Sequence, residues 1–569
     1  MKFRLLAIAL LALSAACTSV PRHGPPLDAG VGATPRIAQT ANPMATRAAL
    51  DMLDRGGNAV DAIVAAQMVL GLAEPQMSGI GGGTLIIYRD AATNRLETFD
   101  GLAAAPAHTT ASLRTDVDGT LLSAEAVRHG GRSVAVPGTL PVLAEIHRRH
   151  GKLPWSALFE PAIALAERGF PIPEYLHRII VLDDITPGKY PDLRMFFDAS
   201  GEPLAIGTIV RNPEYAQTLR RIAARGIDGW LGDGGAERIV EAAHRGDLPT
   251  LMTPQDLRDY RPVERDPICA PFLAYRVCTV PPPSYGGVFL LQALQMLQAR
   301  SDGRYDLGDA SFVHLYVETG KLARADRAAW VGDPAFGKVP TAGLVSPAYA
   351  RERAASIDAG HANPSPRAGR PPGTAAMRNP NPELSMGGTS QLTVADATGN
   401  VVAMTTTINL GFGARLMVDG YVLNDALTNF SAAPKPGQSR ANAMEPGKRP
   451  FTSMAPAIVL DKDGNVVAAG GSAGGGPIPD YLVQGWIDLL VHGMTPAEAV
   501  RQGHVSTATV GKVVVEKGTP AAQLADGLRA RGHEVVIGPL LSGAGYIERA
   551  GGGWIGAADP RRGGNAAGN

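Results

Sequence analysis

Apolar residues recur at helical spacing from Met44 to Leu53 and again from Ala59 to Leu72, with Gly56-Gly57-Asn58 between them. That pattern predicts two packed helices joined at a break. Thr84 to Tyr88 reads as a strand. From about 110 to 330, helical patterns alternate with proline-rich turns such as Pro281-Pro282-Pro283, and 360–388 is a polar run rich in Pro, Gly and Asn that predicts an exposed linker. Beyond it the pattern changes. Gln391–Val394 and Val401–Ile408 are strand-like around a turn at Asp396–Asn400, and Ala457–Leu460 with Val466–Ala469 forms a second hairpin around Asp463-Gly464. Tyr481–Val491 and Ala522–Arg531 predict helices, and Lys512–Val515, Glu534–Ile537 and Tyr546–Arg549 predict strands. Hairpins and helices in this order predict an α+β layered fold, an antiparallel sheet core with helices on its faces.

Composition narrows the class. The chain has 569 residues, 45% apolar and 19% charged, enough for a large core. Lys+Arg and Asp+Glu are both 53, which gives no reason to expect a nucleic-acid partner or a polybasic membrane patch. Lys2 and Arg4, the apolar run Leu5–Leu13 and the small residues Ser14-Ala15-Ala16 before Cys17 predict a signal peptide over 1–17 and a periplasmic location. Cys17 stands where a lipoprotein would be acylated; lipid attachment and simple secretion both remain open. A tether is expected over 18–37. Cys269 and Cys278 are nine apart, and a local disulfide or two buried thiols are equally compatible with that spacing. Without further Cys or a nearby His cluster, no zinc site is expected there, and no metal or organic cofactor is expected elsewhere.

Three glycine-rich segments compete for chemistry. Gly79-Ile80-Gly81-Gly82-Gly83-Thr84 follows a helix pattern rather than a strand, so it reads as close backbone packing rather than a dinucleotide loop. Gly470-Gly471-Ser472-Ala473-Gly474 matches G-x-S-x-G, which would make Ser472 a nucleophile with Asp488 and His504 or His533 as partners, but the flanking hairpins do not suit the parallel sheet that motif needs. The backbone N–H groups of Gly474 and Gly475 could instead hold an oxyanion. In the third, Gly387-Gly388-Thr389-Ser390, a linker becomes a strand. A threonine hydroxyl is a poor nucleophile without a base. Cleavage before Thr389 would create an α-amine of ordinary pKa about 7.7–8.0 on the same residue, and Gly388 would tolerate strained backbone at the cut.

These segments are part of a broader resemblance. Gly56–Ala62, Glu74–Gly83, Asp100-Gly101, Pro281–Gly287, Thr389–Asp396, Gly399-Asn400, Thr405–Asn409, Lys448–Pro456, Gly471–Gly475 and Ala558–Arg561 occur in the order of the γ-glutamyltransferase family of N-terminal-nucleophile hydrolases, from about Ala38 to Asp559. The resemblance implies a four-layer αββα sandwich built jointly by two subunits of one precursor, residues 38–388 (large, ending in the linker) and 389–569 (small), forming a heterodimer that acts on a small-molecule amide. It implies Thr389 as nucleophile, Thr407 orienting its hydroxyl, Asn409 holding the amine or substrate, and Gly474 and Gly475 as the oxyanion hole. Thr452 and Ser453 match the family's paired substrate-binding hydroxyls.

The chain also departs from the family. After Asp100-Gly101 the family has an Arg for the α-carboxylate of a γ-glutamyl group; here it is Leu102. The acidic residue expected before Phe430-Ser431 is Asn429, and the Gln or Glu upstream of it is Ala426. A carboxylate facing Leu102 would be desolvated without a partner. The expected function is therefore an autoprocessed threonine amidohydrolase or acyltransferase with altered recognition of the glutamyl headgroup. The segment from Phe430 to Pro450 looks short, which predicts a more open cleft. Genuine γ-glutamyl transfer or glutathione hydrolysis, a non-enzymatic periplasmic binding lipoprotein, and a serine hydrolase using Ser472 are the alternatives.

Overall fold

The computed structural model describes residues 33–569 except 111–112, 115–119, 121, 124–125, 247, 375–387, 432 and 435–437. The expected signal peptide, Cys17 and most of the tether lie outside the described residues, as does 375–387 of the linker. Chain pairing begins earlier than the expected tether boundary. Thr34 bridges Trp554, and Ile37–Thr40 is already a strand, because its Ile37 and Ala38 are fully buried.

The first helices follow their caps. Asn42 accepts from the Met44 N–H and Pro43 opens the helix Pro43–Asp54. Asn58 accepts from Val60 and Asp61 N–H, while Asp61 accepts from the Asn58 N–H, forming a reciprocal capping box at the start of the helix Ala59–Ala73. This second helix is apolar nearly all round and wholly buried.

Two antiparallel sheets form the centre. One has seven strands in the order Asn565–Gly568, Ile37–Thr40, Ser390–Ala395, Val401–Thr407, Gly83–Arg89, Leu96–Gly101 and Val263–Arg265. The other has six, in the order Gly553–Ala558, Gly545–Ala550, Val466–Gly471, Ala457–Leu460, Tyr275–Thr279 and Ile268–Phe272. Alternation sorts their side chains. Ile86 and Tyr88 pack with the helices Pro43–Asp54 and Ala59–Ala73, whereas Leu85 and Ile87 face the second sheet, meeting Ile458, Leu460, Ala469 and Ile547. On the far side, Val277, Ala457, Val459 and Tyr546 pack against the helices Tyr285–Arg300, Ala310–Trp330 and Ile478–Leu490. The layers are therefore helix, sheet, sheet, helix, the expected αββα sandwich.

Local differences have local causes. The helix expected over 522–531 is a 3₁₀ turn, Pro520–Leu524, followed by the short helix Ala525–Ala530. The last two strands, Gly553–Ala558 and Asn565–Gly568, are too rich in glycine and alanine to stand out by periodicity. Cys269 and Cys278 sit opposite each other in the hairpin Ile268–Phe272/Tyr275–Thr279 and are joined as a disulfide, one of the two arrangements the spacing allowed.

Candidate active site

The hairpin Ser390–Ala395/Val401–Thr407 sets the centre of the site. Its register pairs Thr406 with Ser390, so Thr407 comes opposite Thr389 at the open end. The Asp396 carboxylate holds the turn by accepting from the N–H groups of Thr398 and Asn400, and it also accepts from the N–H of Ala59. The Thr389 hydroxyl donates to Thr407 Oγ1 at 3.1 Å, and that oxygen also accepts from the Asn409 N–H at 2.8 Å. Asn409 is fixed in turn: its Nδ2 donates to Thr428 Oγ1 at 2.9 Å and to the Asp425 carbonyl at 3.3 Å.

Thr389 has φ 88° in the continuous chain. A β-branched residue in this region is strained, by about 1–3 kcal/mol. The sequence placed the tolerance for strain at Gly388; the structure puts the unusual backbone on Thr389 itself. Gly388 serves a different purpose, because a Cβ there would collide with the carbonyl oxygen of Asn409.

The Gly474 backbone N–H is aimed at the Gly388–Thr389 peptide. Gly474, with φ 125°, points its N–H at the Gly388 carbonyl oxygen, 3.2 Å away. Gly475, with φ 69°, lines the adjoining recess and accepts the Ile478 N–H at the start of the helix Ile478–Leu490. Two small recesses adjoin Thr407 and Asn409, each with about 20 Å³ of free space, room for about one water. Tyr285, Thr389, Asn429, Phe451, Thr452, Ser453 and Gly475 complete the first; Leu102, Ala103, Ala426 and Asn429 are in the second, which shares Phe451 and Thr452. Part of the short 430–450 segment, from which an open cleft was expected, lies outside the described residues; the described recesses beside Thr389 are small. Of its described residues, the Ser431 N–H donates to the Asn442 carbonyl, and Asn442 Nδ2 donates to the Asn429 carbonyl. Behind the wall, the Arg327 guanidinium lies 4.5 Å from the Tyr285 ring centre and 5.0 Å from that of Phe451.

Among the described residues lining these recesses there is no Arg, Lys, Asp or Glu. Leu102 is buried in the layer between the sheets. Asp100, two residues earlier, is held by Arg265 Nε at 2.9 Å and Arg449 Nη1 at 3.4 Å, and Arg449 Nη2 also donates to the Arg261 carbonyl at 2.7 Å. Both cations are therefore engaged behind Leu102 rather than lining the recesses.

Sequence reasoning missed three residues around Thr389. Glu74 is fully buried and accepts from Ser390 Oγ at 2.9 Å; burial pushes its carboxyl up to about 8, opposed by that hydrogen bond and by Arg562. Asp425 accepts from the Leu410 N–H, and burial raises its carboxyl to about 7. Arg562 Nη1 donates to the Thr389 carbonyl at 3.0 Å and lies 3.4 Å from the Gly388 carbonyl. Glu74 and Arg562 lie in or beside matched segments, but only the fold carries them more than 170 residues in sequence to Thr389.

The serine-elbow alternative does not assemble. Ser472 is wholly buried and its hydroxyl donates to the Ala473 carbonyl. Asp488 pairs with His492, His504 contacts Ser542, and His533 contacts His314 and Lys321. The strand before Ser472 is antiparallel to both neighbours, so the elbow's parallel-sheet setting is absent from the strands that flank it. His314, Glu318 and His533 are the one group among the described residues with ligand atoms close enough for a metal. Lys321 already occupies it, donating to Glu318 Oε1 at 2.7 Å and contacting His533 Nδ1 at 3.1 Å, while burial pushes His533 down to about 3.

The gamma-glutamyltranspeptidase family model matches residues 45–569. The chain belongs to the gamma-glutamyltranspeptidase family. It is 35% identical to a glutathione hydrolase proenzyme of Bacillus subtilis (strain 168) over 584 residues, 98% of this chain and 97% of that protein. It is 38% identical over 513 residues to the acylase ACY 1 proenzyme of Pseudomonas sp. (strain SE83), 89% of this chain and 88% of the relative. Among solved structures, cephalosporin acylase from Bacillus halodurans superposes with a TM-score of 0.82 at 26% identity, covering 98% of this chain and 99% of that one. The fold is that of the N-terminal-nucleophile hydrolases in this family, and the protein is an enzyme of the hydrolase/acyltransferase type. Among the described residues no helix is long and apolar enough to cross a membrane.

Proposed function

We propose that this gamma-glutamyltranspeptidase-family chain is a precursor that cuts itself before Thr389 and then acts as a threonine amidohydrolase or acyltransferase. Its acyl substrate is an amide without the zwitterionic glutamyl head. The observation behind this reading is the combination of a reactive centre with an uncharged surround: Thr389 and Thr407 in hydrogen-bond contact, Gly474 N–H on the Gly388 carbonyl, and recesses lined by Leu102, Ala426, Asn429, Thr452 and Ser453. The free amine of Thr389 takes the hydroxyl proton as the oxygen attacks the amide carbon. Gly474, with Gly475 beside it, holds the developing oxyanion, where one donor is worth about 3 kcal/mol. The intermediate collapses as the substrate C–N bond breaks, the Thr389 ammonium returns the proton to the departing amine, and water or an amine then releases the acyl group from Thr389 Oγ1. A γ-glutamyl carboxylate in the same place would lose water without gaining a cation. The similarity to an acylase proenzyme supports this reading, while the similarity to a glutathione hydrolase proenzyme supports γ-glutamyl turnover as the second.

The test compares a γ-glutamyl anilide with a panel of simple acyl anilides. We expect the acyl compounds to be turned over faster; a strong preference for the glutamyl compound defeats the substrate assignment. Leu102→Arg combined with Asn429→Asp should raise γ-glutamyl turnover. The leader over 1–17 places the enzyme in the periplasm within this proposal, with Cys17 as a lipid anchor, and radiolabelled fatty acid incorporation that disappears in Cys17→Ser is the check.

A further inference from the structure

Arg562 is 5% exposed, and two of its nitrogens are already committed: Nε and Nη2 both donate to the Leu541 carbonyl, at 3.1 and 2.8 Å. The guanidinium plane is further fixed by Tyr175, whose ring centre lies 4.9 Å from Cζ. This leaves Nη1, beside Met77 Sδ at 3.7 Å, shared between two carbonyl oxygens: 3.0 Å from that of Thr389, on the peptide after the cut, and 3.4 Å from that of Gly388, on the peptide to be cut. Among the described residues no carboxylate forms an ion pair with it. Its electrostatic neighbour Glu74 is pushed up to about 8 by burial and is therefore mostly neutral at pH 7. A buried cation without an ionised partner is costly unless charge appears beside it.

We propose that Arg562 is a catalytic residue of the self-cleavage step, the second donor, with the Gly474 N–H, to the carbonyl oxygen of Gly388. The inference rests on the self-cleavage reading above. Thr389 Oγ1 bonds to the Gly388 carbonyl carbon, whose oxygen takes the electron pair and becomes the oxyanion held by Gly474 and Arg562. The intermediate collapses as the Gly388 C–N bond breaks, and the proton from the hydroxyl ends on the departing nitrogen. The product is an ester between Gly388 and Thr389 Oγ1. Water then cleaves that ester to the Gly388 carboxylate, restoring the hydroxyl beside the new α-amine. Arg562 is positioned to act because charge develops on an oxygen that its Nη1 already reaches, so little reorganisation is needed. Its bond to the Thr389 carbonyl does not depend on the cut peptide, so afterwards the same cation stays near the new amine and disfavours its protonation.

The test follows the conversion of pulse-labelled full-length precursor into two chains on denaturing gels, with the melting temperature of each precursor measured in parallel. Arg562→Met should slow conversion about 100- to 1000-fold with little change in melting temperature. Arg562→Lys should recover part of the rate, and methylguanidinium should accelerate Arg562→Ala. Wild-type conversion by Arg562→Met overturns the inference. So does a slowing that merely follows a lowered melting temperature and responds neither to lysine nor to methylguanidinium. If the wild-type chain itself stays uncut, the Thr389 reading fails first, an outcome distinct from normal cutting by the variant.

Discussion

At the scale of single residues, the site depends on groups whose protonation and hydrogen bonding are set by burial. Thr407 Oγ1 accepts from both the Thr389 hydroxyl and the Asn409 N–H. Thr407→Val removes the acceptor and leaves a backbone donor unpaired, so kcat should fall roughly 10- to 100-fold with KM little changed; steady-state kinetics on any turned-over anilide gives the split. Glu74 makes a different prediction. Its folded pKa, about 8, lies above the ordinary value of 4.5, so the folded state binds the extra proton between those limits. Stability from this group is fully present below about pH 4.5 and is lost as pH rises toward 8. Glu74→Gln cannot ionise, so the melting temperature of the variant minus that of the wild type should grow from pH 5 to pH 8. A flat difference would mean that Glu74 is not the buried neutral acid described here.

At the scale of elements, the glycine segment before the strand Gly83–Arg89 shows why backbone contact and not cofactor binding explains it. A Cβ on Gly81 would meet the Val422 carbonyl and one on Gly82 the Thr407 carbonyl. Gly82→Ala should therefore cost about 1–3 kcal/mol of stability and also displace Thr407, lowering turnover in the molecules that remain folded. Thermal unfolding and kinetics of the purified variant measure the two effects separately. The segment was readable as packing because it follows a helix, Ala59–Ala73, and not a strand. The hairpins at 390–407 and 457–471 were equally plain, since their turns at Gly399 and Gly464 have φ of 92° and 84°, where glycine is favoured.

At the scale of the molecule, cleavage before Thr389 would not divide the core along a seam. In the seven-stranded sheet, Ile37–Thr40 from before the cut lies between Asn565–Gly568 and Ser390–Ala395 from after it, and Val401–Thr407 pairs with Gly83–Arg89. The second sheet joins the two parts where Ala457–Leu460 meets Tyr275–Thr279. Interleaved ladders and a shared apolar layer would hold the two parts together after such a cut. After processing, native gel filtration should give one peak containing both chains, and only denaturant should separate them. Two native peaks would contradict this architecture.

The amino-acid order alone determined the hairpin on which Thr389 sits, the two helices on either side of Gly56-Gly57-Asn58, and the uncharged side chains at Leu102 and Asn429. Each of these is a local pattern or the chemistry of a single side chain. Tertiary structure decided what depends on convergence in space. It brought Arg562 and Glu74 to a residue far away in sequence, put the strained φ on Thr389 and not on Gly388, and kept Ser472 apart from the histidines and aspartate that a serine nucleophile would need. Such outcomes follow from sheet register and close packing, which no single segment encodes by itself.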